Sequence, residues 1–244
     1  MMRTFDRLIE FDERSRAYPV RTLASVAGRQ PGDRAWACRA RLDQGEYGAC
    51  AAFAACHELA AEPALVPVVE QDAFSMYFRV QRTDEFPGGE YPGARPRQGG
   101  TSILAILKEL VRIRACDSYV FGFSLHDYAV GVTHEGPAIL GLRWTEGMCE
   151  PDREGRIRPT GRSLGGHGIL SNEVDWTMGR CWLLQSWGRK HGVDGRVWLP
   201  LEDLEKLLAQ QGECAFLVGR RVVDMANLPA VRPASWWSRI WRRG

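Results

Sequence analysis

The chain has 244 residues, 45% of them hydrophobic and 25% charged, which is enough for one domain or two closely packed lobes. Thirty-two basic against 30 acidic side chains leave a formal charge of +2, a balance that excludes nucleic acid as the main partner. No apolar stretch approaches the roughly 20 residues of a membrane-spanning helix, and residues 1–14 are charged where a signal peptide is apolar. The expected location is therefore a cytoplasm, or a virion loaded without Sec export. Lysine occurs only at Lys108, Lys190 and Lys206, with arginine supplying the other basic positions. With abundant alanine and glycine, this indicates a GC-rich coding sequence, compatible with an actinobacterial or phage source. The seven cysteines (38, 50, 56, 116, 149, 181 and 214) are odd in number and scattered, with no CxxC pair and no zinc-ligand spacing. No disulfide framework, metal site or cofactor is expected.

Residues 1–40 carry Pro19, Pro31 and Gly32 with little periodicity, and read as extended or irregular. The run from Asp43 through Gly45 and Gly48 to Cys50 is a glycine-rich turn feeding directly into an alanine-rich helix over 51–61, which Pro63 stops. A cysteine at that position meets the unpaired N–H groups and positive end of a helix, which bias it toward thiolate. Cys50 is thus the candidate nucleophile, while any other cysteine reads as a small buried apolar side chain. A second helix is predicted over 70–81, a loop over 84–100 with three prolines and five glycines, and a third helix over 101–111. Beyond this the pattern changes to short β-prone runs over 118–125, 138–144, 167–174, 181–186 and 214–223, interrupted by one helix over 201–211. Helices first and strands later predict an α+β protein rather than alternating βαβ units.

A cysteine nucleophile needs a base, donors for a tetrahedral oxyanion and a group that orients the base. His167, after Gly165-Gly166 at the head of an apolar strand, can face a neighbouring lobe as the base. Gln44, six residues before Cys50, can turn its carboxamide back toward the Cys50 N–H. Gln185, at a strand end, can accept from the histidine ring. His57 lies two helical turns from Cys50 and reads as a packed or surface histidine; His126, His134 and His191 receive no role.

These residues, in this order, resemble the papain-like cysteine peptidases from about residue 40 to 223. Gln44-Gly45, Gly48, Cys50 and Ala52-Phe53-Ala54 match the family's Gln-Gly-x-Cys-Gly-Ser-Cys-Trp-Ala-Phe motif. Gly99-Gly100 resembles its glycine pair that meets substrate backbone. Gly136-Pro137-Ala138, Gly166-His167-Gly168 and Gln185-Ser186-Trp187-Gly188 resemble its Gly-Pro-Val strand, its His-Ala segment and its Asn-Ser-Trp-Gly motif. The resemblance implies a single catalytic domain over 1–244. Its helical lobe, about 40–115, would pack on an antiparallel β-barrel-like lobe, about 116–230, with the active site in the cleft between them. It implies thiolate attack by Cys50 on a peptide carbonyl, an oxyanion held by Gln44 and the Cys50 N–H, proton transfer by His167, and Trp187 covering the His167–Gln185 contact. The partner is a protein or peptide substrate.

Three positions depart from the pattern. Tyr47 stands where secreted members have a disulfide cysteine, Ala51 replaces a tryptophan, and Gln185 replaces the asparagine that orients the histidine. Only 49 residues precede Cys50, most of them needed by the fold, so restraint by a long inhibitory pro-segment is not expected. The same triad also suits isopeptidase, amidase or acyl-transfer chemistry, and the fold alone suits a non-catalytic binding protein. Arg156, Arg158 and Arg162 read as a solvated charged hairpin. The tail over 231–244, rich in tryptophan and arginine, has a composition able to lie on an anionic membrane or on another protein, but it is short for interfacial binding, and the favoured reading is a segment packed on the molecule's own surface or disordered.

Overall fold

A computed structural model describes Phe5, Arg7, residues 13–83 and residues 100–228. The first elements among the described residues are 3-10 turns at Glu13–Ala17 and Val20–Thr22 and a two-residue strand, β1 (Arg34–Ala35). Three helices follow: α1 (Cys50–Leu59), α2 (Glu70–Thr83) and α3 (Ile103–Arg112). Every residue of α1 is buried. Its alanines let the helix approach its neighbours closely, which a helix of larger side chains could not do. In α2, Glu70 and Asp72 occupy the first turn, where negative charge suits the helix dipole. At the start of α3 the Ala105 N–H donates to Ser102 Oγ at 3.1 Å, the N-cap that the hydroxyl start signal predicts.

The second half forms one antiparallel sheet in the order β2 (Ser118–Phe121), β7 (Glu213–Val218), β3 (Ala138–Thr145), β4 (Ser163–Asp175), β5 (Arg180–Leu184) and β6 (Arg196–Pro200), with β1 pairing separately to β4. The period of two along each strand divides the apolar residues between two clusters. Ile139, Leu170, Leu184 and Ala215 join the helical cluster of α1, α2 and α3. Their neighbours Leu140, Ile169, Leu183 and Phe216 join a second cluster on the other face, with Tyr128, Trp144 and Leu204. That second face is covered by α4 (Leu125–His134) and α5 (Leu201–Ala209).

Buried ion pairs connect the elements. Arg79 and Glu109 join α2 to α3 at 2.8 Å, and Arg220, just after β7, reaches Glu58 of α1 at 2.6 Å. Burial raises the Glu58 carboxyl above its usual range, and Arg220 opposes that shift.

The predicted strand over 118–125 is shorter than expected, because Leu125 begins α4. The helix is set by a reciprocal cap: the Asp127 N–H donates to Ser124 Oγ at 3.0 Å, and the Phe123 N–H to Asp127 Oδ2 at 3.0 Å. Strand β6 was not anticipated, and β4 begins four residues before His167. The predicted loop over 84–100 lies outside the described residues except for Gly100, and the tail over 231–244 lies wholly outside them. Among the described residues no helix is long and apolar enough to cross a membrane.

Candidate active site

Cys50 is the first residue of α1, preceded by Ala49, which has no polar side chain to cap the helix. The turn before it is closed by the Tyr47 N–H donating to Gln44 O at 3.2 Å, and Gly45 supplies a left-handed φ of +59°. Cys50 Sγ accepts a hydrogen bond from the Gly168 N–H at 3.2 Å, so the helix start meets β4 one residue beyond His167. Glycine is required there: a Cβ on residue 168 would lie 2.7 Å from Ala51 Cα and 2.8 Å from Ala51 N. Ala51, where a tryptophan was the reference, is buried in this contact.

His167 is fully buried. Its Nε2 lies 3.0 Å from Gln185 Oε1. A carboxamide oxygen only accepts, so at this contact Nε2 is the donor. The extra methylene of glutamine is absorbed, and the contact to the ring is made. Trp187 lies over the imidazole with ring centroids 5.1 Å apart and planes 32° apart, and Trp144 meets it edge-on at 4.6 Å.

Gln44 is held on three sides. Its N–H donates to Ser186 O at 2.8 Å, its Oε1 accepts from Ser186 Oγ, and its Nε2 donates to Tyr47 O at 2.5 Å. One hydrogen of Nε2 therefore remains for another acceptor. Just before Gln44, the Leu42 carbonyl accepts from the Gly188 N–H at 3.0 Å, and the Leu42 N–H donates to His57 Nε2 at 3.2 Å. Burial pushes His57 down to about 3, keeping the imidazole neutral and available as that acceptor.

The structure thus brings Cys50, His167, Gln185, Gln44 and Trp187 to one junction between α1 and the sheet. Of the glycine pair, Gly99 lies outside the described residues, while Gly100 has φ +94° and donates to Tyr77 Oη at 3.1 Å. Sequence reasoning missed Ser186, Trp144 and His57 as supports of the site. It also gave no role to His191, whose ring meets Trp187 edge-on at 4.7 Å. His57 carried a local signal in its spacing of two turns from Cys50, and Ser186 in its place between Gln185 and Trp187.

All seven cysteines are free thiols. Burial pushes Cys38 up to about 11 and Cys116 and Cys181 up to about 12, and raises Cys56 and Cys214 as well. Those thiols stay protonated and inert. Among the described residues no cluster of side chains suits a metal ion.

The junction is covered. Cys50 is 1% exposed, and Phe5 meets the His167 ring edge-on at 5.8 Å and Trp187 at 5.9 Å. The Arg7 N–H donates to Gly166 O at 2.9 Å. Phe5 and Arg7, among the residues ahead of Cys50 of which most were expected to serve the fold, thus reach the junction.

No protein-family model matches this chain, and no curated protein does. Solved structures do. The fold is similar to xylellain, a cysteine protease from Xylella fastidiosa, with a TM-score of 0.66 and 16% identity over 91% of this chain and 99% of that one. It is also similar to the bromelain protease from Ananas comosus in complex with the E64 inhibitor, with a TM-score of 0.56 and 14% identity over 78% and 100%. Digestive procathepsin L 3 of Tenebrio molitor larval midgut gives a TM-score of 0.58 and 12% identity over 88% and 76%. All three are papain-like cysteine proteases, and the architecture here is the papain-like α+β fold.

Proposed function

We propose that the chain is a cysteine peptidase in which Cys50 and His167 work as a thiolate–imidazolium pair. The observation that carries this reading is the pairing of Cys50 Sγ with the Gly168 N–H while the neighbouring His167 is oriented through Nε2 by Gln185. The peptidases of similar fold add support.

In the first half-reaction the Cys50 thiolate adds to a peptide carbonyl carbon. The Cys50 N–H and the remaining Nε2 hydrogen of Gln44 receive the oxyanion. As the tetrahedral species collapses, the C–N bond breaks, and His167 Nδ1 gives its proton to the departing amine. This leaves a thioester on Cys50 and a neutral imidazole. Water then loses a proton to Nδ1 as it attacks the thioester, and the C–S bond breaks to return the thiolate. Gln185 acts through His167 by holding Nε2–H, and Trp187 and Trp144 keep water from that bond. Ser186 holds Gln44 itself, and His57 holds the chain two residues before it.

The whole of 1–244 would serve as one catalytic unit acting on protein or peptide. Peptide-library cleavage followed by mass spectrometry tests this against wild type, Cys50→Ala and His167→Ala. Cleavage by wild type alone is expected. Turnover confined to isopeptide or primary amide substrates would instead mean amidase chemistry at the same thiol.

A further inference from the structure

Glu58 lies in the last turn of α1, where the negative end of the helix dipole and a burial of all but 1% both oppose a carboxylate. Its counter-charge comes from Arg220, two residues beyond β7, whose side chain is 5% exposed. Arg220 Nε donates to Glu58 Oε1 at 2.6 Å. Among the described residues Glu58 Oε2 has no hydrogen-bond partner, so Arg220 is the group that balances this carboxylate. The other two nitrogens of the guanidinium turn away from α1. Nη1 donates to Glu135 O at 3.2 Å and reaches Glu135 Oε1 at 3.5 Å, and Nη2 reaches Pro137 O at 3.5 Å. They fill the space of a side chain at Gly136, where a Cβ would lie 2.3 Å from Nη2.

Glu135 and Pro137 lead from α4 into β3, and β3 pairs with β4, Leu142 opposite His167. Arg220 thus joins the helix that carries Cys50 to the sheet that carries His167. That helix is built mainly of small side chains, Ala51, Ala52, Ala54 and Ala55, with Ala51 resting on Gly168 of β4. Alanine ridges are shallow, so packing resists a turn of the helix about its axis less than larger side chains would. Phe53 packs on Phe74 of α2, and His57 bonds Leu42 in the loop that leads into the helix. The polar ties to the sheet side stand at the two ends: Cys50 Sγ on the Gly168 N–H, and Glu58 on Arg220, eight residues or about 12 Å along the axis. A turn of about 10° would carry an atom about 5 Å from the axis through roughly 1 Å. Misplacement of that size at a reacting centre costs on the order of 100-fold in rate.

From this geometry, and resting on the peptidase reading above, we infer that Arg220 is a positioning residue of the active site: by bolting Glu58 to the turn ahead of β3, it sets the pose of the nucleophile helix and holds Cys50 Sγ on the Gly168 N–H. It acts from the far end of α1 and touches neither substrate nor the reacting atoms.

The test replaces both charges at once in the full chain, with Glu58→Leu and Arg220→Met, because an apolar pair of similar volume keeps a buried site stable where loss of one partner does not. Three properties are compared with the parent: thermal melting, kcat and KM on a cleaved peptide, and the amide resonance of Gly168. That resonance reports the hydrogen bond to Cys50 Sγ whether or not the chain turns anything over. The double variant is expected to melt with the parent and to lose about 10- to 100-fold in kcat with KM within about twofold. Its Gly168 amide proton should move toward the position it takes in Cys50→Ala. An unmoved Gly168 amide, or a parental kcat, in the folded double variant overturns the inference and leaves the peptidase reading standing where peptide is cleaved. A moved amide in a chain whose wild type cleaves no peptide keeps the positioning role and defeats the peptidase reading. If the double variant does not fold, Arg220→Lys replaces it. An ammonium keeps the charge beside Glu58 but lacks the planar fork that spans Glu58, Glu135 and Pro137. The Gly168 amide should then move in the same direction, and one that stays in place overturns the inference.

Discussion

Gly168 is where α1 rests on β4, and Gly168→Ala probes how closely the site depends on that approach. The new methyl would sit 2.7 Å from Ala51 Cα and 2.8 Å from Ala51 N, both main-chain atoms of the nucleophile helix. No flexible side-chain end is available to swing aside. Helix and strand must part by about 0.7 Å to reach ordinary contact, the kind of overpacking that costs about 1–3 kcal/mol. The same displacement pulls Cys50 Sγ away from the Gly168 N–H, now at 3.2 Å, and changes the line from the sulfur to His167. Misplacement near 1 Å at a reacting centre costs on the order of 100-fold in rate. Urea unfolding should therefore show a midpoint shift equivalent to about 1–3 kcal/mol, and kcat/KM on a cleaved peptide should fall by about 100-fold. A variant that keeps both parental stability and parental rate would refute the claim that helix–strand contact positions the thiol.

Cys50→Ala should abolish turnover, whereas Gln185→Ala should lower kcat/KM by about 10- to 100-fold, the worth of one hydrogen bond to a charged ring. Equal loss in the two variants would contradict the assignment of Gln185 as a positioning residue. His57 gives a pH dependence of stability. Its folded value is depressed to about 3 from 6.5, so the unfolded chain binds the proton first and stability falls as pH drops through that window. The loss should be about 2 kcal/mol between pH 6.5 and 5, read by urea unfolding, and His57→Gln should remove most of that slope. A slope unchanged in His57→Gln would place the titration elsewhere.

The parts of the site that were legible in the sequence are those encoded in a few adjacent residues. The turn and helix around Cys50, the glycines flanking His167 and the Gln185-Ser186-Trp187-Gly188 run each carry their geometry locally. Helix α4 was missed because its β-branched Val130, Val132 and Thr133 and its Gly131 read as strand or turn. Packing overrides that preference, since a side chain at Gly131 would strike the Phe216 ring at 2.3 Å. Strand β6 is only five residues long and was hidden by the glycine and charged turn before it. The covering of the site by Phe5 and Arg7 was not legible at all. The Arg7–Glu213 pair joins positions 206 residues apart, and nothing in either local sequence marks the other. His57 was legible as a packed histidine, but its acceptor role toward Leu42 appears only once the turn is folded.

The proposed function rests on Cys50 and His167 forming a reactive ion pair. It is tested most directly by the iodoacetamide alkylation rate of Cys50 from pH 4 to 9, read by intact mass and peptide mapping in wild type and His167→Ala. The ratio of rates at pH 5 and pH 8.5 carries the result, because any factor common to both pH values cancels in it. A reactive pair gives a wild-type ratio within about tenfold of unity. In His167→Ala it should fall to about a thousandth, as for a free thiol titrating near 8.5. Wild-type labelling that also rises only near pH 8.5, with no change in His167→Ala, would contradict it.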